Sequence, residues 1–294
     1  MDTFFQICLL AIIISLAFNT YWNIFLDFER GRLAEKFNAI ILYDYATICL
    51  SILTLIYGIQ KKERISYIFI TLSIVNIATL SLHGSRGTWI GIPVILIIIF
   101  IIYYKTHLNR LIAILFFSTL LTLISLIIPN SPILKRLNQF NQDTTNIQQN
   151  NFNTSTGQRL ALWSFSIDEF KKSPITGVGM VQFQEDACEL KDRKILPLCS
   201  HAHNIFLQEL GTHGVLGITS LFLIFMTSIL FFLKKQNFNK DSQLISTCGI
   251  SLIVYSIFCG FTDYFFLSGP STLFFFLTLI SLMSFKITQN TKSN

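Results

Sequence analysis

The chain has 294 residues, of which 52% are hydrophobic and 13% charged, and its mean hydropathy is +0.57; soluble proteins carry about 25% charged residues. This composition excludes a soluble globular enzyme, a disulfide-stapled secreted domain and a nucleic-acid-binding module. The net charge of +6 and the pI near 9.0 fit a membrane protein whose cytoplasmic loops are rich in Lys and Arg.

Apolar runs rich in Ile, Leu and Phe fall at 4–26, 39–59, 65–82, 89–104, 111–128, 205–233, 243–266 and 270–286. A bilayer span takes roughly 20 apolar residues, and in lipid only helices or closed barrels satisfy the backbone. The runs are too long and continuous for barrel strands, which alternate over about ten residues. The reading is an all-α integral membrane protein with about eight transmembrane helices: five in 1–128, one large loop over 129–204, then three more and a short tail in 205–294. The first run lacks a positive start and is too long for a cleaved signal peptide, so it is read as a span.

With both termini on one side, one set of loops holds Lys61, Lys62, Arg64, Lys105, Arg110, Lys234, Lys235, Lys240, Lys286 and Lys292. The short loops of the other set hold Arg30, Arg32, Lys36 and Arg86. Basic residues gather on the cytoplasmic side. Both termini are therefore expected in the cytoplasm of a bacterial inner-membrane protein, with the large loop in the periplasm.

Within that loop, residues 138–158 are mainly Asn, Gln, Thr and Ser, a composition that predicts a mobile stretch. Leu160, Trp163, Phe165, Ile167 and Phe170 then recur at near-helical spacing. They predict an amphipathic helix near 159–172 on the outer membrane surface, ended by Pro174, Gly177 and Gly179. Cys188 and Cys199 could pair in an oxidising compartment, although spacing alone does not fix the geometry. Cys8, Cys49, Cys248 and Cys259 read as packing residues within spans.

Titratable groups collect on the outer side: His83, Arg86, Arg159, Arg193, His201, His203 and His213. Any one of them reads equally as a solvated loop residue; the clustering is the signal. Arg86 sits in the short turn from Leu82 to Trp89 and is either a snorkelling anchor or an anion-binding group. Arg159 is either a surface residue of the loop helix or a planar donor fork for phosphate oxygens. His203 stands where the loop ends and a span begins, a place where an imidazole can accept a proton. Gly211, Gly214 and Gly217 predict a thinned helix face for close packing by a helix or a lipid chain. Cys188, Cys199, His201 and His203 are zinc-type ligands, but their spacing matches no common zinc pattern, and neither metal nor cofactor is expected. Ser200 lies near His203 without a nucleophile elbow. Asp44 and Asp263, in or at the edge of spans, could each be a cation partner, a proton carrier or a helper to His203.

Taken together, these segments resemble a known family. His203-Asn204, followed after nine residues by Gly214 and then by Gly217, resembles the loop signature of bacterial O-antigen ligases (WaaL) and Wzy-type polymerases. The stretch from Gln158 to Trp163, the stretch from Pro174 to Gly179, and Ser85-Arg86-Gly87 resemble further parts of the family pattern. Ile218 stands where many ligases have Thr, and the chain reads as a member shortened at its N-terminus. The resemblance implies a GT-C-type glycosyltransferase that takes a glycan from undecaprenyl pyrophosphate and works without a metal. Ligases pass the glycan to lipid A-core; polymerases pass it to another lipid-linked repeat unit. It further implies that His203 is the catalytic base and that Arg86 and Arg159 hold the pyrophosphate; Asn204 and Asp263 are candidates for a supporting role. Readings outside the family are a transporter or flippase using Asp44 and Asp263, and a non-catalytic partner of a glycan assembly complex.

Overall fold

A computed structural model describes residues 1–25, 40–61, 63–83, 85–127, 132–149, 152, 154–234, 240–267 and 269–291. Arg30, Arg32, Lys36, Lys62, Lys235 and Lys292, used above, lie outside the described residues, as does the side chain of Arg86. The helices are α1 (Asp2–Phe25), α2 (Ile40–Gln60), α3 (Ser66–Ser81), α4 (Arg86–Trp89), α5 (Gly91–Ile127), α6 (Pro132–Gln148), α7 (Ser155–Lys172), α8 (Met180–Asp192), α9 (Ile205–Leu233), α10 (Lys240–Gly260) and α11 (Gly269–Thr291). A single 3-10 turn, Phe265–Leu267, separates α10 from α11. No strand occurs among the described residues. The protein is an all-α membrane protein: α1, α2, α5, α9, α10 and α11 are long and apolar enough to cross a bilayer, and α3 is a shorter apolar helix.

The chain divides into two compact units. The first comprises Met1–Leu134, Ser228–Cys259 and Ser268–Asn294; the second comprises Lys135–Thr227 and Gly260–Leu267. In the first unit α2 is buried on nearly every side, through Ile48, Ile52, Leu53, Leu55, Ile56 and Ile59, as expected of a helix that is apolar all round. By contrast α1 and α5 leave Ile7, Ile14, Ile97, Ile101, Phe116 and Phe117 largely exposed, an apolar surface suited to lipid. Polar side chains join the helices inside this unit. Ser15 Oγ donates to Asn76 Oδ1 (2.9 Å), Asn76 Nδ2 to Ser51 Oγ (2.9 Å) and Tyr43 OH to Asn19 Oδ1 (3.1 Å). Such bonds contribute roughly 0.6 kcal/mol each in a membrane bundle.

Three elements differ from the sequence reading. The runs at 89–104 and 111–128 form two helical stretches joined at a kink rather than by a loop. Together they make up the 37 residues of α5, and the kink falls at His107 (φ −137°, ψ 32°), between the two expected runs. Arg110, expected in the loop, instead donates through Nη1 to the carbonyls of Gly58 (3.0 Å), Ile59 (2.8 Å) and Lys61, capping the C-terminus of α2. Lys286, expected in a solvated tail, is buried and donates to the carbonyls of Phe231 (3.0 Å), Phe232 (2.6 Å) and Lys234 (3.2 Å) at the end of α9. Helix C-termini leave carbonyls without intrahelical partners and carry partial negative charge, so two basic residues find helix ends rather than water. The third difference is α6, which covers much of the polar stretch expected to be mobile. Its Asp143 is buried and accepts from Thr156 Oγ1 at 2.7 Å, a tertiary anchor that polar composition does not reveal.

The second unit has its own small core of Leu162, Phe165, Phe183, Ala187 and Leu196, contributed by α7, α8 and the segment after them. The α7 helix forms where an amphipathic helix was expected, with Thr154 Oγ1 capping the Gly157 N–H at 3.1 Å. Its inward face, however, is Leu162, Phe165, Ser166 and Glu169, while Leu160 and Ile167 are exposed. Lys172 pairs with Glu169 (2.7 Å) and with Asp186 (2.8 Å), joining α7 to α8. The Cys188–Cys199 disulfide, with Cα atoms 4.5 Å apart, ties the end of α8 to the segment before His201.

Candidate functional site

The site builds outward from the glycines of the second unit. Gly214 breaks α9 with φ 63° and ψ −152°, a left-handed conformation that disfavours other residues. The break exposes backbone groups that the Pro174–Gly179 loop takes up. Val178 N donates to Gly211 O (3.1 Å) and Gly179 N to Thr212 O (2.8 Å), while Val215 N donates to Pro174 O (2.9 Å). A Cβ at Gly177 would run into the Thr212 carbonyl carbon, and one at Gly214 into the Ile175 carbonyl. The expected thinned face for close helix packing holds at Gly211 and not at Gly214. Gly214 interrupts the helix, and Gly211 abuts the Phe183 ring and Ser166 O. The reason is that α7 and α8 pack at Gly211, whereas loop backbone from Pro174 to Gly179 docks at the break around Gly214.

The loop from Cys199 to Asn204 is held on both sides. Trp163 Nε1, on α7, donates to Ala202 O at 2.9 Å; Ala202 N donates to the buried Gln208 Oε1 at 2.7 Å. Asn204 caps α9, its Oδ1 accepting from the N–H groups of Phe206 (3.0 Å) and Leu207 (3.1 Å). Such caps are worth about 1 kcal/mol. Its Nδ2 donates to Phe261 O at 3.3 Å, drawing the chain after α10 toward the same place. Between these constraints His203 adopts φ 48°, uncommon for a residue other than glycine.

These contacts bring two imidazoles onto one carboxylate. Asp263 Oδ1 lies 3.2 Å from His201 Nε2 and 3.3 Å from His203 Nδ1, and it accepts the Tyr264 N–H at 2.8 Å. The two rings lie 4.1 Å apart. The Asp263 side chain is 13% exposed, against 23% for His201 and 26% for His203, so the carboxylate lies beneath rings that solvent can reach. Burial works against ionising Asp263, but hydrogen bonds from His201 and His203 and the charge of both outweigh it and hold the carboxyl well below the usual carboxylate range. Beside it, Tyr264 OH donates to Glu209 Oε1 at 2.8 Å, and Glu209 Oε2 meets His213 Nδ1 at 2.8 Å. Burial, reinforced by the Glu209 charge, pushes the Tyr264 phenol up, which keeps its proton in place.

Of the residues singled out in the sequence, His203, Asn204 and Asp263 come together here. Arg159 lies on α7, one turn before Trp163 and on the same helix face by its four-residue spacing. Arg86 opens α4 in the other unit. Asp44, the other acid, makes its contact elsewhere: it is fully buried and meets His83 Nδ1 at 2.8 Å. Sequence reasoning left open whether Asp44 or Asp263 accompanies His203, and it missed Gln208 and Tyr264 altogether. The pairing of His201 with His203 at i and i+2 was the one visible sign that two rings share a partner.

A helical membrane protein with a His–Asp pair, the histidine on a loop beside the Asn204 cap and the aspartate on the segment after α10, is the class that fold and site define. Its family follows from comparison: the Wzy_C O-antigen ligase family matches residues 69–222, a segment that includes Arg86, Arg159, His203 and Asn204. The chain belongs to the O-antigen ligase family. It is 30% identical over 236 residues to an uncharacterized protein of Haemophilus influenzae, covering 78% of this chain and 59% of that protein. It is 25% identical over 219 residues to the O-antigen ligase of Escherichia coli K12, covering 71% of this chain and 51% of that protein. The matches span little more than half the length of these relatives.

Proposed function

We propose that the protein transfers an O-antigen-type glycan from undecaprenyl pyrophosphate to lipid A-core at the periplasmic face of the inner membrane, as a metal-independent, inverting, GT-C-type glycosyltransferase. His203 is the base. With Asp263 accepting the Nδ1 proton, Nε2 carries the lone pair and takes the proton from the acceptor hydroxyl. The hydroxyl oxygen attacks the anomeric carbon as the bond to the pyrophosphate oxygen breaks, and direct displacement inverts that centre. Ionised Asp263 stabilises the imidazolium that forms. Arg86 and Arg159 hold the departing pyrophosphate, whose charge grows as the bond breaks; removing one such donor costs about 2.7–4 kcal/mol. Asn204 is a positioning residue that sets the start of α9 and the Asp263 segment.

The observation that carries this reading is the 3.3 Å approach of His203 Nδ1 to Asp263 Oδ1, made by a histidine within the segment matched to the family. Both the matched family and the Escherichia coli relative are ligases by name, which favours ligation over the polymerase alternative. The test is transfer in vitro by purified protein, with lipid-linked donor, lipid A-core acceptor and chelator present. Unaltered protein should form product, and His203→Ala should lower the rate by about 10²–10⁴-fold. Full activity in His203→Ala would remove the base. Elongated lipid-linked polymer as the product would identify a polymerase.

A further inference from the structure

We propose that His201, His203 and Asp263 form a binding site for a divalent transition ion of zinc type, and that an ion seated there switches off His203 as a base. The binding claim stands on geometry alone; the switching claim rests on the transfer reading above.

One ligand atom from each of His201, His203 and Asp263 lies within 4.8 Å of the other two, and His201 Nε2 and His203 Nδ1 both face Asp263 Oδ1. The two imidazole–carboxylate distances are 3.2 and 3.3 Å. A good N–H···O⁻ bond to a carboxylate is shorter, about 2.7–2.9 Å. Tetrahedral zinc with bonds of about 2.0–2.1 Å places its ligand atoms about 3.3–3.4 Å apart. The spacing is thus long for hydrogen bonding and matched to two edges of a zinc tetrahedron. The third edge closes by rotation of the imidazoles, which at 23% and 26% exposure have room to turn.

The chemistry of the set agrees. Two neutral imidazoles and one carboxylate suit zinc, and three protein ligands leave a fourth position for water or a phosphate oxygen. The ligands are also supported from outside: Asp263 by the Tyr264 N–H, and the histidine loop by Trp163 and Gln208. Such supports fix ligand orientation. Sequence spacing hid this set because its third member is Asp263, sixty residues beyond His203, rather than Cys188 or Cys199, which are joined to each other.

The consequence for catalysis follows from the tautomer. Transfer needs the His203 proton on Nδ1 and a lone pair on Nε2. An ion on Nδ1 displaces that proton, and the neutral ring then carries its hydrogen on Nε2, where it cannot accept the hydroxyl proton. Ion binding and base catalysis therefore exclude one another.

The experiment titrates Zn²⁺ into the full-length protein in nanodiscs, purified without a polyhistidine tag and under non-reducing conditions, with calorimetry as the readout. Tetrahedral d–d absorption of added Co²⁺ is the second readout. One ion per chain is expected. His201→Ala and Asp263→Asn should each weaken binding by more than about 100-fold, exceeding the 10–100-fold typical of outer-shell changes. His213→Ala and the paired Cys188→Ser, Cys199→Ser variant should bind as the unaltered protein does. Absence of saturable binding, binding that survives both ligand variants, or loss of binding in His213→Ala would overturn the site. In active protein, saturating Zn²⁺ should halt transfer, and chelator should restore it. Transfer that continues at full ion occupancy would overturn the switch. Protein inactive under all conditions would count against the transfer reading alone, because the titration does not depend on turnover.

Discussion

Replacing Asp263 with Asn tests the proposed His–Asp unit with little change of shape. The carboxylate oxygen accepts from His201, His203 and the Tyr264 N–H. An amide oxygen can keep the Tyr264 bond but supplies no negative charge to an imidazolium. Hydrogen bonds to charged groups contribute about 1.5–3 kcal/mol, which corresponds to a rate loss of about 10- to 150-fold. The 3.3 Å His203 distance is long for such a bond and places the expected fall in kcat toward the lower half of that range. KM should change little, because the interaction strengthens only as His203 gains its proton. The assay is steady-state transfer by Asp263→Asn, His203→Ala and the double variant. Residues acting as one unit are strongly non-additive; the double variant should be no slower than His203→Ala. A double variant slowed by the product of the two single effects, or an Asp263→Asn enzyme with the unaltered rate, would refute the coupling.

Gly214→Ala forces a side chain into a conformation (φ 63°, ψ −152°) open essentially to glycine, at a cost of about 1–3 kcal/mol, and pushes its Cβ against the Ile175 carbonyl. Thermal unfolding should show a lower Tm, and an unchanged Tm would argue against the break in α9. Removing the disulfide with paired Cys188→Ser and Cys199→Ser releases a loop whose ends are 11 residues apart in sequence, a loss of about 3 kcal/mol. Protease resistance of the segment around Asp192 should fall; equal resistance would show that the bridge contributes nothing. Lys286→Met leaves three carbonyls at the end of α9 without their cation. It should lower stability in detergent by more than substitution of the exposed Lys234, and equal effects would contradict the capping role.

The sequence by itself determined the class of the molecule. Runs of apolar residues this long can satisfy their backbone in lipid only as helices, so the all-α membrane architecture follows from composition and run length. The helix that became α7 was also legible, from local periodicity and the breakers after it. So was the place of His203-Asn204 at the boundary between the loop and α9, within the segment matched to the family. What periodicity cannot reveal is which distant group a side chain meets. Asp44 and Asp263 looked alike as acids at span edges, yet one is buried against His83 while the other receives two imidazoles. Lys286 and Arg110 read as solvated charges until folding brought helix ends within their reach. The separation of 60 residues between His203 and Asp263 is bridged by the Asn204 bond to Phe261 and by the turn after α10. That closure is a property of packed helices in three dimensions, and no local pattern in the chain encodes it.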